Sequence, residues 1–401
     1  MKKQLLTAAV LAAIGIHHAN ATAGALDNGD LTISGFGTLG VAKSDTDEAR
    51  FVRYNQAEGV GDGARLGLDT NLGLQVGYKI NDWLSATGQV LTRKGPRPGF
   101  TTDLTWAFVK ARVNDDVSVR VGRLALPTFL ISEYQNVGYA NTMMRPPIEM
   151  YGQVPIESHD GIDLIYQHGF GDVTLTAQPF LGVSRGKLYA GGGAYTYRAP
   201  THGLTLSAES GPFTVRVSRL YAELHEDIPA LAPLVSALNA YGFANLASDL
   251  TLHGQKFAFT AVGGTMDWKN IVLQTEYAQR RAKDPVQVPG TNSWYAMAGY
   301  RLGKVMPYYA HADFRSIATT ARVPANFPAT GALGAPVASL LAPSAQSSDQ
   351  IGVRWDFTKG MALKLQVDRV KPKTGGGALI GEPAGYNKRV TVVGASVDFV
   401  F

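Results

Sequence analysis

The stretch Ala64-Arg65-Leu66-Gly67-Leu68-Asp69-Thr70-Asn71-Leu72-Gly73-Leu74-Gln75-Val76-Gly77-Tyr78-Lys79-Ile80 decides the fold. Its even positions are apolar apart from Thr70, and its odd positions hold Arg, Asp, Asn, Gln, Lys and glycine. Successive side chains of a strand point to opposite faces, so this strand has one greasy face and one wet face. A single such strand also suits a soluble sandwich, where the greasy face meets a second sheet. How often the pattern recurs, and where its turns fall, decides between the two.

The pattern runs to the last residue. Alternating segments at 31–43, 83–93, 102–113, 117–123, 161–168, 173–184, 203–210, 213–223, 256–265, 269–280, 293–303, 305–315, 348–357, 361–371 and 388–401 join 64–80 to make sixteen. Tight turns fall at Asn81-Asp82, at Asn114 to Asp116, at Gly169 to Asp172, at Gly211-Pro212, at Asp267 to Asn270, at Gly303-Lys304 and at Thr358 to Gly360. All are rich in residues that favour turns. Eight longer connections lie between them, including 185–202. An even strand number with short turns at one end and long loops at the other specifies an all-β fold, a transmembrane antiparallel β-barrel of about sixteen strands. Outward aromatic pairs are expected at the membrane interfaces: Trp106 and Phe108, Trp294 and Tyr300, Tyr308 and Phe314, Trp355 and Phe357, Phe399 and Phe401.

The start of the chain sets its address. Lys2 and Lys3 precede an apolar run from Leu5 to Ile16, and small residues then offer Ala19-x-Ala21 or Ala21-x-Ala23 for cleavage. This order marks residues 1–23 as a signal peptide, with cleavage near Ala21 or Ala23 and a single barrel domain over 24–401. No later stretch approaches the ~20 apolar residues of a spanning helix. The chain holds no cysteine, which excludes disulfides, thiolate metal sites and cysteine nucleophiles. Its formal charge of +5 comes without a clustered basic face, so nucleic acid is not an expected partner.

Three stretches carry a family resemblance: Arg65-Leu66-Gly67-Leu68, Val119-Arg120-Val121-Gly122-Arg123 before a long third loop containing Pro127, and the terminal Val397-Asp398-Phe399-Val400-Phe401. In these the chain resembles the Gram-negative porins. The resemblance implies an outer-membrane homotrimer of sixteen-stranded barrels, surrounded by membrane lipids. Each barrel would be a water-filled channel for passive diffusion of ions and small hydrophilic solutes. It implies that outer-membrane assembly machinery reads Phe401, and that the third loop, 124–160, folds into the lumen with its acids facing a basic wall. That loop offers Glu133, Glu149, Glu157 and Asp160, but also Arg145 with Pro146-Pro147. It is longer and less glycine-rich than the usual eyelet loop, so a substrate-selective porin for small anionic or organic solutes stays open beside the general one.

The inward positions of the alternation place Arg65, Lys79, Arg120, Arg216, Lys256, Arg280, Arg301, Arg315, Arg354 and Lys364 on the wall. Opposite stand Asp69, Asp163, Glu209, Glu276, Asp313, Asp356, Asp368 and Asp398. A lumen so charged is a wet channel, with a slight tilt toward anions that the loop acids could reverse. The constriction is expected where Arg65, Arg120 and Arg123 oppose the loop acids, with Arg354 and Lys364 also lining the pore.

Apparent catalytic strings fail on context. Gly35-Phe36-Gly37-Thr38-Leu39-Gly40 fits a dinucleotide fingerprint by letter, yet it sits inside an alternating strand with no helix after it. Ser158-His159-Asp160 is contiguous, whereas triad members converge from separated positions. The histidines show no metal-ligand spacing. No cofactor, metal or enzymatic reaction is expected. A surface adhesin, receptor or barrel enzyme remains a lesser alternative. The adhesin reading would rest on 224–255, where Leu231, Leu234, Val235, Leu238 and Tyr241 follow Pro229 at helical spacing, and on 316–347, expected as a flexible exterior loop.

Overall fold

The computed structural model describes residues 26–401 apart from 28, 191, 376, 382 and 384, so the expected leader at 1–23 lies outside the described residues. Among these residues the alternating segments form sixteen long strands: β1 (Leu31–Ser44), β2 (Asn71–Lys79), β3 (Leu84–Lys94), β4 (Phe100–Arg112), β5 (Val117–Ala125), β6 (Ser158–Phe170), β7 (Val173–Ala190), β8 (Gly193–Ser210), β9 (Phe213–Leu224), β10 (Gln255–Trp268), β11 (Ile271–Ala282), β12 (Thr291–Tyr300), β13 (Val305–Ser316), β14 (Ala345–Thr358), β15 (Met361–Thr374) and β16 (Val390–Val400). Each pairs antiparallel with the next, and β16 returns to β1 from Val400↔Phe36 to Val392↔Ser44. Closure leaves no strand edge of the barrel unpaired, the condition for a sheet to cross lipid.

The seam explains two glycines. Gly35 and Phe401 exchange N–H···O=C bonds of 2.9 Å in both directions. A Cβ on Gly35 would meet the Phe401 ring at 2.3 Å, and one on Gly37 the Phe399 ring at 2.4 Å. Gly35 and Gly37 therefore make room for aromatic rings that cross the closing seam, whereas Gly40 faces Asp69.

All seven tight turns lie between consecutive strands where the sequence places them. One expected long connection does not exist. Residues 185–202 continue β7 and β8 as a paired hairpin that reaches Ala190↔Gly193. The 316–347 segment is also more ordered than expected: it carries a helix, Gly331–Leu341. Val337 of this helix packs with Leu238, Leu246 and Leu250 from helices at Ala232–Ala240 and Ala244–Leu250. Asp249 accepts hydrogen bonds from the guanidinium of Arg322, so the two long connections form one helical cap. The helical spacing at 231–241 was legible; its partner was hidden by the Ala/Pro/Ser composition of 316–347.

The opening stretch breaks once. Gly67 adopts φ +120°, a region that favours glycine, and Arg65–Leu66 pair with Val41–Ala42 before β2 starts at Asn71. Leu68 consequently turns inward and packs with Phe51 and Val52 instead of facing lipid. From Leu72 on, the expected facing holds: Leu72, Leu74, Val76 and Tyr78 are exposed.

Trp294, Tyr300, Trp355 and Phe401 are exposed on the outer face. Trp106, Phe108, Tyr308 and Phe314 are buried, contrary to the expected girdle. On β4 the cause is a bulge: Gln89 pairs with Trp106 and Val90 with Leu104, so Thr105 is passed over and the facing flips. On β13 Val305, Pro307 and Tyr309 are exposed, which turns Tyr308 inward, where its hydroxyl donates to Gln366 at 2.7 Å.

Leu365 of β15 is exposed while its neighbour Gln366 is 1% exposed and bonded to Tyr308 and to the Met144 amide. Leu365→Arg should cost about 2–4 kcal/mol if this face meets hydrocarbon near the midplane. Denaturant titration in lipid measures it, and an unchanged midpoint would refute the register of β15.

Candidate pore constriction

The 126–157 connection leaves the sheet because Pro127, Pro146, Pro147 and Pro155 withhold backbone donors from any ladder. It also carries its own apolar face. Phe129, Ile131, Met143, Met150 and Tyr151 pack with Phe259, Ala261, Ala278, Tyr295, Met297 and Tyr308 of β10 to β13. Each large side chain so buried contributes about 1.5–3 kcal/mol.

Inward side chains of strands far apart in the barrel bond the same connection. The Arg145 guanidinium donates to both Asp69 oxygens at 3.0 and 2.7 Å and also to Asp368 of β15. Lys364 Nζ donates to the carbonyls of Gly138, Asn141 and Met143 at 2.7, 2.7 and 3.1 Å and lies 3.0 Å from Asp398. Arg354 donates to the Asn141 carbonyl at 2.9 Å and to Asp356 of its own strand. Arg216 forms a bidentate pair with Glu133 at 2.7 and 2.8 Å, and Glu276 accepts from the Leu130 amide and the Tyr151 hydroxyl, both at 2.9 Å. On the other flank Arg93 of β3 holds Glu157 at 2.9 and 2.7 Å and also donates to Asn136.

These bonds bring together part of the expected site. Glu133, Glu157, Arg354 and Lys364 meet the connection as wall or loop partners. Arg120 does not oppose a loop acid: it pairs with Asp163 of the adjacent β6 and lies 5.3 Å from the centre of the Phe108 ring. Arg123 and Asp160 pair with each other at 2.7 Å, and Arg185 joins them at 3.1 Å. Both belong to the facing that exposes Val121 and Ile162, so they stand on the outer side of the wall. Arg65 is exposed beside the Gly67 break and makes no ion pair among the described residues.

The loop acids differ in how burial and pairing act on them. Burial by itself would raise the carboxyls of Glu133 and Glu157, but Arg216 beside the first and Arg93 beside the second hold both below the usual range. Glu149 is fully buried, and burial raises it; Gln346 donates to it at 2.7 Å. A carboxyl raised on folding loses stability as pH rises above its unfolded value. Glu149→Gln should therefore stabilise the barrel at pH 8 more than at pH 4 and leave ion preference unmoved. Thermal melts at the two pH values check this; a destabilisation that grows with pH would overturn it.

Beside the connection lies a cavity of about 570 Å³. Phe36, Gln89, Trp106 and Asn136 line its inner part. Its charged lining is Arg53, Arg93, Lys94, Arg97, Arg123, Arg185 and Lys187 against Asp103, Glu133 and Glu157. Lys94 is paired with Glu58 at 2.6 Å, whereas Arg53, Arg97 and Lys187 make no ion pair among the described residues. Reading the alternation alone misses this group. Its one signal is the basic run Arg93-Lys94-Gly95-Pro96-Arg97 at the end of an alternating segment.

A family model described as Gram-negative porin matches residues 6–375. No curated protein sequence matches the chain. Solved structures share the fold. The anion-selective porin from Comamonas acidovorans is 14% identical with a TM-score of 0.56, over 92% of this chain and 99% of that one. The outer membrane channel DcaP of Acinetobacter baumannii is 12% identical with a TM-score of 0.55, over 95% and 100%. The trimer form of OmpT, an outer membrane protein of Vibrio cholerae, is 12% identical with a TM-score of 0.53, over 93% and 100%.

Proposed function

This chain belongs to the Gram-negative porin family, an outer-membrane channel for small solutes, and from that premise we propose that its channel favours small anions. The observation that carries the reading is the cavity lining: Arg93 and Arg216 neutralise Glu157 and Glu133, which leaves Arg53 and Arg97, without an ion pair among the described residues, against Asp103. In a narrow aqueous gap such an excess acts within the ~8 Å Debye length, so it raises the local anion concentration where screening is incomplete. The anion selectivity named for the Comamonas acidovorans porin agrees with it.

In this reading the 126–157 connection is folded into the lumen and narrows it. Support comes from its bonds to β3 on one flank and to β9, β11, β14 and β15 on the others. Solutes then pass along the wall of β1 to β4. The seven tight turns face the periplasm and the helical cap faces outward. A leader at 1–23 is removed near Ala21 or Ala23, and the mature barrel assembles as a homotrimer, as in the trimer form from Vibrio cholerae. Outer-membrane assembly machinery that reads Phe401, the surrounding lipids and small hydrophilic solutes are its partners. Ser158-His159-Asp160 is no triad, because His159 is packed against Phe180 while Asp160 is held by two arginines.

Neutralising Arg53 and Arg97 together should move the reversal potential in a salt gradient toward cations with little change in fold, because neither is spent on an ion pair. Wild-type reversal potential in the folded double variant would sink the anion reading.

A further inference from the structure

We propose that the mouth of the channel holds a binding site for small aromatic carboxylates, formed by Tyr54, Tyr189 and Tyr195 around Arg53. The proposal rests on the anion-channel reading above and names the class of anion it serves. Its basis is a second cavity, of about 260 Å³, at the long-loop end. It adjoins the basic cavity and shares Arg53, Tyr54, Asn55, Gln56 and Pro155 with it. The rest of its lining is apolar or aromatic, with Ile148, Leu188, Tyr189, Tyr195 and Ile380 as the large side chains. Arg53 is the one charged side chain on this lining among the described residues, and it makes no ion pair there.

The cavity is built before a solute arrives. Asn55, at φ +57°, a region that asparagine tolerates, donates to the Lys187 carbonyl and accepts from the Tyr189 amide, both at 2.9 Å. The tip of the β7–β8 hairpin, where Leu188 pairs with Tyr195, is thereby fastened to the 45–70 connection. Gln56 holds the turn that presents Arg53: its Oε1 accepts from the Arg53 amide and its Nε2 donates to the Leu68 carbonyl, both at 3.0 Å. The Arg53 guanidinium lies 5.9 Å from the centre of the Tyr54 ring. Ile380 is fixed by two backbone bonds with Arg50, of 2.9 and 3.0 Å.

A small hydrated ion gains little from such a lining, because it would exchange water for apolar walls and a single cation. A neutral ring would leave the fork of Arg53 without a partner. A flat ring carrying one carboxylate satisfies both: its faces pack on tyrosine rings and aliphatic side chains, and its carboxylate takes the planar donors of the guanidinium. The volume lies below the ~300–1,000 Å³ of pockets for drug-sized ligands, so it takes a single ring with a short substituent. An anion entering from the long-loop end meets this site first and the basic cavity next.

The test is block of the chloride current by added benzoate, in planar bilayers holding the full folded barrel, with acetate as the charge-only probe and benzyl alcohol as the ring-only probe. Tyr189→Leu with Tyr195→Leu keeps apolar bulk and charge, so it should weaken benzoate block roughly tenfold, the worth of an aromatic pair. Arg53→Gln should remove the advantage of benzoate over benzyl alcohol. Heat-modifiable mobility confirms that each variant folds. In the wild type, block by benzoate no stronger than by acetate, or no stronger than by benzyl alcohol, would overturn the proposal. So would undiminished block in the tyrosine variant. The two readings fail separately. The tyrosine variant should keep the wild-type reversal potential in potassium chloride, and a wild-type preference for cations would sink the anion reading alone, since the aromatic site is read from the block.

Discussion

Arg145→Ala should lower the stability of the folded barrel by about 3–5 kcal/mol, the cost of removing one partner from a buried ion pair. The wild-type guanidinium is 1% exposed, is bonded to Asp69 and Asp368, and lies 5.7 Å from the centre of the Phe51 ring. Alanine leaves two carboxylates facing each other in a site that admits little water, and their mutual repulsion adds to the loss. Those carboxylates stand on β15 and just before β2, strands that meet only through β16 and β1, so the arginine also ties the connection to the wall across the seam. Lysine would keep the charge without the fork that serves both acids, so Arg145→Lys should recover only part of the stability. Single channels of folded Arg145→Ala should show larger conductance and extra noise as the 143–151 half of the connection loosens. A wild-type denaturation midpoint together with quiet, wild-type conductance would show that apolar packing alone holds the connection.

Period-two alternation, turn chemistry and strand count were enough to read the barrel, because closure and lipid leave a sheet few alternatives. What the alternation missed were its local slips. The bulge at Thr105 and the break at Gly67 each change which face a residue occupies, and neither leaves a mark on composition. Trp106 and Leu68 were misplaced for that reason. Part of the wall charge was legible as inward, and Arg216, Arg354 and Lys364 do meet the third loop, whereas Lys256 and Arg315 share the outward faces of Val262 and Tyr309. Their partners were not legible. Pairing of Arg120 with Asp163 follows from cross-strand register, which is set by turn lengths and bulges together. The cavity cations were missed because Arg53, Arg97 and Lys187 come from connections and from a strand extended beyond its apparent end, where period two gives no guidance.

Lys364→Met should be comparably damaging, and its rescue is what gives the result meaning. The ammonium is fully buried and takes its partners from the tip of the connection: three carbonyls, at Gly138, Asn141 and Met143, with the Asp398 carboxylate beside them. Methionine fills much of the same volume, so packing is largely kept while the charge and three donors vanish. Orphaned buried acceptors cost about 1–3 kcal/mol each, and the unpaired carboxylate adds the larger share. Asp398 keeps one donor, the Thr38 hydroxyl at 2.6 Å, which an asparagine oxygen could also accept. Asp398→Asn combined with Lys364→Met should therefore restore the charge-dependent part of the loss while leaving the carbonyls at 138–143 without their ammonium. Stability should recover in the double variant, whereas the channel should stay noisy, because the tip is still untethered. Full recovery of both would mean that Lys364 serves only to neutralise Asp398. Recovery of neither would mean that the methionine itself cannot be packed at the Gly138 turn, where a Cβ on Gly138 would already meet the Asp398 carboxylate at 2.3 Å.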